Sequence, residues 1–248
     1  MFFISPFFYD LNIIMKYLFT NGCSFMTTRN THECSIQTHA GMEVAKHYNL
    51  EHIGIAKGGR GMDRTALTTI SWCEKNRAIL DDTFVLIEWS TASRLDYPSN
   101  DKNFKKLEGL NTCWHSLKLN EEPAFGFFFK QKNMHFNEYI RHRYYQNVLL
   151  LQNYLKVNNI KYLMYNGLET RKNYRANNPD FKLYDAIIDE KHFFGKAISH
   201  HDWNNPSEHF ARREYFISAN DHHPTQKSHE EWAKMLVAHI DENNLLKK

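Results

Sequence analysis

Residues 83–88, TFVLIE, form a continuous apolar run without the polar alternation of a half-exposed strand. A strand of that kind has to be covered on both faces, as a central strand is in a parallel sheet with helices packed on each side. Shorter runs stand at 16–20, 52–56 and 161–165, and segments with helical spacing lie between them. One helix is expected after the Asn21-Gly22 turn and runs to Tyr48, with Met42, Val44, Ala45 and Tyr48 as its apolar positions. A second spans about 63–76. A third, about 137–157, carries Ile140, Tyr144, Val148, Leu151 and Leu155 at helical spacing. The last, 228–240, has the stripe Trp232, Met235, Leu236 and Ile240, and opens on a capping-box pattern at Ser228 and Glu231. Strands alternating with helices imply βαβ units. The expected fold is therefore α/β, a three-layer α/β/α sandwich around a short, mainly parallel sheet.

The chain has 248 residues, enough for one α/β domain with a sizeable core. Residues 15–248 are read as that domain, with an irregular, aromatic-rich insertion at about 95–136. Residues 1–14 are read either as an extension outside it or as a packed N-terminal segment, since Met15 directly precedes the first strand. Those first residues lack a basic start and a small-residue cleavage site, so they do not read as a signal peptide. No run of 18 apolar residues occurs, which argues against a spanning helix. A net charge of +3 does not point to a dedicated nucleic-acid binder. The four cysteines form no CxxC pair, and reduced thiols in a cytoplasmic protein are the simplest reading.

Three turns follow three of the strands: Asn21-Gly22-Cys23-Ser24-Phe25, Lys57-Gly58-Gly59-Arg60-Gly61 and Trp89-Ser90-Thr91-Ala92-Ser93-Arg94. A fourth segment, Asp221-His222-His223-Pro224, precedes the last helix. In an open parallel sheet the carboxyl ends of the strands border the ligand crevice, so the three turns are expected on one edge. Their order resembles the SGNH (GDSL-like) hydrolase superfamily over about residues 16–240. The resemblance implies that Ser24 is the nucleophile, His223 its base and Asp221 the residue that orients His223. It also implies an oxyanion hole built from the Ser24 N–H, a glycine N–H at Gly59 or Gly61, and a polar group of the third turn. The fold would be SGNH/flavodoxin-like, and the reaction hydrolysis of a carbohydrate O-acetyl or other small acyl ester. The implied partner is thus a small-molecule or glycan ester, with no cofactor, metal, nucleic acid or membrane.

The chain departs from the family pattern in three places. Cys23 replaces the usual Asp before the serine. The third turn lacks the expected Asn, which leaves Ser90, Thr91 or Arg94 for that role. Asp221 is two residues before His223 rather than three, and Asn220 is the alternative, neutral orienter. A carboxylate better supports an imidazolium, which favours Asp221.

Plainer readings stand beside these. Ser24 in isolation reads as a helix cap. The glycine loop reads as a tight turn. Cys23 reads as a packing residue rather than a rival nucleophile, and His222 as a solvated neighbour. Arg94 is equally open to a surface ion pair and to binding a substrate carboxylate or phosphate. Trp89 is either core or a sugar-stacking platform. The Arg171, Lys172 and Arg175 stretch reads as a solvated loop. His200, His201, Asp202 and His209 form a polar cluster that matches no familiar zinc signature. Two alternatives to a serine hydrolase follow: a catalytically reduced SGNH-like glycan-binding module, and a metal-dependent hydrolase using the 200–209 region.

Overall fold

A computed structural model describes residues 15–30, 35–99, 113–118, 123–132, 135–171, 179–195, 197–204, 214–218 and 221–247. Residues 1–14, Lys172, Arg175, His209 and Asn220, and parts of the 95–136 insertion, lie outside them. The central sheet contains β1 (Tyr17–Asn21), β4 (Glu51–Gly54), β5 (Thr83–Trp89), β8 (Lys161–Asn166) and β9 (Phe193–Phe194). Its order is β4-β1-β5-β8-β9, and every pairing is parallel. The three-layer α/β/α sandwich expected from the sequence is what the structure shows.

All seven residues of β5 are buried. Alternation along it divides the core in two. Val85 and Ile87 pack on one face with Met62, Ala66, Tyr144, Val148 and Leu151, from the helices α2 (Met62–Lys75) and α4 (Phe136–Val157). Phe84 and Leu86 pack on the other with Ala40, Val44, Trp232 and Leu236. These come from α1 (Ala40–His47) and the C-terminal helix Gln226–Glu242.

The structure corrects several expectations. The stretch after β1 is not one helix. It begins with a 3-10 turn at Ser24–Met26 and a small ribbon of β2 (Arg29–Asn30) and β3 (Ser35–Ile36) before α1 starts. The 95–136 region is not wholly irregular. Its β6 (Arg94–Ser99) and β7 (Cys113–Lys118) form an antiparallel ribbon, and α3 (Pro123–Gln131) follows. In 170–220 the described elements are α5 (Pro179–Ile187), a 3-10 turn (Glu190–His192), β9 and a short α6 (His200–Asn204). The C-terminal helix, α7 (Gln226–Glu242), is capped by Thr225, whose Oγ1 accepts the Ser228 N–H at 3.3 Å. Ser228 lies inside the helix and is buried, which replaces the capping box read at that position.

Candidate active site

The first turn is shaped by Asn21, the last residue of β1. Its Oδ1 accepts the Gly22 N–H and Arg60 Nη1, both at 2.9 Å. Its Nδ2 donates to the Thr65 carbonyl, Thr68 Oγ1 and Thr69 Oγ1 of α2 at 2.8–3.1 Å. A Cβ on Gly22 would stand 2.8 Å from Glu88 Cβ, so only glycine lets the chain pass β5 this closely. The chain then turns, and Ser24 opens the 3-10 turn with 7% of its surface exposed.

The segment 221–225 is anchored by a short pairing with 215–217. The Ile217 N–H donates to the His223 carbonyl at 3.1 Å, and the Thr225 N–H to the Tyr215 carbonyl at 2.9 Å. This places His223 over the first turn. Its Nε2 lies 2.9 Å from Ser24 Oγ, although the two residues are 199 positions apart. Its Nδ1 bonds to Asp221 Oδ1, which also accepts the His223 backbone N–H at 3.1 Å. With the carboxylate accepting the hydrogen bond of Nδ1–H, Nε2 presents its lone pair to the serine hydroxyl. Phe25 packs edge-on against the imidazole, with ring centres 5.3 Å apart.

The charges around this pair are ordered. Burial raises the Asp221 carboxyl, but the hydrogen bonds from His223, with that imidazole's charge and Arg29's, outweigh it and hold the group below its ordinary value. Arg29 Nη1, from β2, is 3.5 Å from Asp221 Oδ2. Burial lowers His223 below 6.5; the Asp221 hydrogen bond opposes that, and the charges of Arg29 and Arg94 add to it. The imidazole is therefore neutral at neutral pH and able to accept a proton.

The second turn borders the same point. A Cβ on Gly58 would lie 3.7 Å from Ser24 Cβ. Gly59 has φ +80° and opens to solvent, whereas the Gly61 N–H is taken by Asp96 Oδ2 at 2.8 Å. Ser90 Oγ is buried without a hydrogen-bond partner among the described residues. Thr91 Oγ1 is engaged by Ser93 Oγ at 2.7 Å and Glu169 Oε1 at 2.9 Å. Trp89 is fully buried in the core, so it is not a sugar platform.

Cys23 is buried, and its Sγ donates to Glu88 Oε1 at 2.9 Å. Burial and the adjacent carboxyl raise its thiol well above the ordinary range, as suits a packing residue. Glu88 itself is fully buried beneath the turn. Desolvation pushes its carboxyl up to about 7, against hydrogen bonds from Cys23 and Tyr165. A raised carboxyl adds stability that is complete below its unfolded value near 4.5 and is lost as pH rises through about 7. Glu88→Gln keeps the shape and removes the titration. Its stability relative to the parent chain is expected to improve about tenfold in the folding equilibrium per pH unit between those values, then level off. Urea unfolding of both proteins from pH 5 to 8.5 measures this, and a pH-independent difference would refute it.

His200, read as part of a polar cluster, is a core residue. Its Nε2 is 3.0 Å from Ser228 Oγ, and its ring stacks on Trp232 at 4.7 Å. His201 Nδ1 is 3.6 Å from Asp202 Oδ1. Among the described residues no group of three or more His, Cys, Asp or Glu is placed to hold a metal ion. Arg171 is no solvated loop residue either: it is buried and bonded to Asp185 at 2.7 Å. Arg29, Asn21 and Glu88 were missed in the sequence. Glu88 carried a visible signal, an acid closing a strand otherwise apolar throughout. Arg29 carried none, because it reaches Asp221 across 192 positions.

No family model matches the chain, and no curated protein does. Solved structures give a distant likeness. The psychrotrophic esterase EstA from Pseudoalteromonas sp., determined in a form inhibited by monoethylphosphonate, superposes at TM-score 0.48 and 9% identity, over 92% of this chain and 97% of that one. TesA does so at TM-score 0.45 and 10% identity, over 92% and 99%. A carbohydrate esterase described as having divergent catalytic and non-catalytic binding functions does so at 0.43 and 12%, over 92% and 65%.

Proposed function

We propose that this chain is a serine ester hydrolase acting on a small acyl ester, with carbohydrate O-acetyl groups as one substrate class. The observation that carries the reading is the unbroken relay from Ser24 Oγ to His223 to Asp221. A serine hydroxyl is a weak nucleophile at neutral pH and needs a base at hydrogen-bond distance. In the proposed reaction Ser24 Oγ attacks the acyl carbon as its proton passes to His223 Nε2. Asp221 stabilises the imidazolium. The tetrahedral oxyanion is held by the Ser24 and Gly59 N–H groups, with Ser90, Thr91 or Arg94 as the third donor; the Gly61 N–H is already engaged. Collapse expels the alcohol, which takes the proton from His223. Water then repeats the sequence on the acyl-enzyme and releases the acid and free Ser24.

An activity-based fluorophosphonate is the direct test, because it captures only a serine activated in this way. The wild type is expected to be labelled at Ser24, and Ser24→Ala is not. A folded wild type that stays unlabelled would overturn the proposal in favour of the glycan-binding module, which would then lack Trp89 as a stacking surface.

A further inference from the structure

Arg94 begins β6, immediately beyond the third turn. Its backbone is tightly fitted: Arg143 Nη2 donates to its carbonyl at 3.1 Å, and a Cβ on Gly61 would lie 2.6 Å from that same oxygen. Its guanidinium is different. Nη1 is buried and has no hydrogen-bond partner among the described residues. Three other arginines have carboxylate partners: Arg143 with Asp63, Arg171 with Asp185, and Arg29 with Asp221.

The charge on Arg94 nevertheless bears on the site. It works against protonation of His223 and favours the ionised carboxyls of Glu88 and Glu169. Glu169 gives one oxygen to Thr91. A buried donor without an acceptor is costly, and a cation close to His223 opposes the charge that the imidazole must take on. A negative group supplied by the substrate would answer both conditions. The planar guanidinium fork matches a carboxylate in particular. The neighbouring Glu88 and Glu169 penalise a doubly charged phosphate more than a singly charged carboxylate.

We propose that Arg94 forms an anion subsite beside Ser24, and that the esters hydrolysed here carry a carboxylate close to the scissile bond. This inference rests on the serine hydrolase reading. The test compares mono-4-nitrophenyl succinate with 4-nitrophenyl acetate. The wild type is expected to favour the charged ester about 10- to 100-fold in kcat/KM, mainly through KM, as a charge-assisted bond would give. Arg94→Gln should abolish that preference, and Arg94→Lys should keep part of it, which a merely structural residue would not. An equal loss of kcat on both esters would overturn the subsite and make Arg94 an oxyanion donor. Binding gives an independent readout. Monomethyl succinate, but not dimethyl succinate, should raise the melting temperature of Ser24→Ala, and adding Arg94→Gln should remove the shift. No shift with either compound would overturn the subsite whether or not either ester is turned over. Absence of fluorophosphonate labelling would remove the hydrolase reading. Labelling without any charge preference would remove only this inference.

Discussion

His223→Ala is expected to lower kcat on an activated ester by about 10⁴-fold or more, with KM changed far less. Without the imidazole, Ser24 Oγ has no acceptor for its proton within reach. Backbone donors and substrate binding remain, so a residual rate above water is expected. Asp221→Ala should cost less, because the imidazole remains beside Ser24 and loses only its orientation and charge support. Stopped assays on the folded variants, with circular dichroism as the control for folding, measure both. A loss below about tenfold for His223→Ala would mean that the 2.9 Å contact is a packing contact and not a catalytic one. The wild-type pH profile follows from the same chemistry. Only neutral His223 can act as base, so kcat/KM should rise with pH and level off before neutrality, because the group sits below its ordinary value of 6.5.

Acidification is expected to destabilise the protein well above the pH at which its carboxylates titrate. His39, His200 and His229 are almost wholly buried, each with an Nδ1 that has no hydrogen-bond partner among the described residues. Desolvation, with smaller contributions from neighbouring charges, lowers His39 and His229 to about 3 and His200 well below 6.5. A group depressed in the folded state lends stability that is present above its unfolded value and lost as pH falls toward its folded one. His39 and His229 therefore each take about a factor of ten from the folding equilibrium per pH unit below 6.5, and His200 acts in the same direction. Glu88, raised to about 7, works in the opposite direction over the same interval and offsets about one of them. From pH 6.5 to 4.5 the net change from His39, His229 and Glu88 is about 10², or about 3 kcal/mol, and His200 adds to it, a large part of the stability of a typical domain. Urea midpoints measured across that interval check the slope, and His39→Gln should make it shallower. A midpoint that stays flat from pH 7 to 4.5 would sink this account.

The legibility of the chain follows the range of the forces involved. The strand at 83–88 was readable because burial on both faces leaves a continuous apolar run, and the structure extends it by one residue, to Trp89. The helix at about 137–157 was readable because its apolar stripe repeats at helical spacing. The 94–99 and 113–118 ribbon was not, since a two-stranded ribbon needs no strong apolar period and its two strands are joined by a long connection. The capping box at Ser228 misled for a related reason. Thr225, three residues earlier, meets the same chemical requirement, and the buried partner of Ser228, His200, is 28 positions away. Trp89, Arg171 and His200 have side chains equally at home in a site or a core, and only their neighbours separate those two settings.

Taken alone, the sequence determined the layered α/β architecture and the order of the turns, because hydrophobic period and turn chemistry act over a few residues. Tertiary structure alone decided that Ser24 meets His223, that Arg29 reaches Asp221, that the Gly61 N–H belongs to Asp96, and that Arg94 Nη1 finds no hydrogen-bond partner among the described residues. Those contacts depend on how parallel strands bring distant loops to one edge of a sheet, and no local pattern encodes the distance between them.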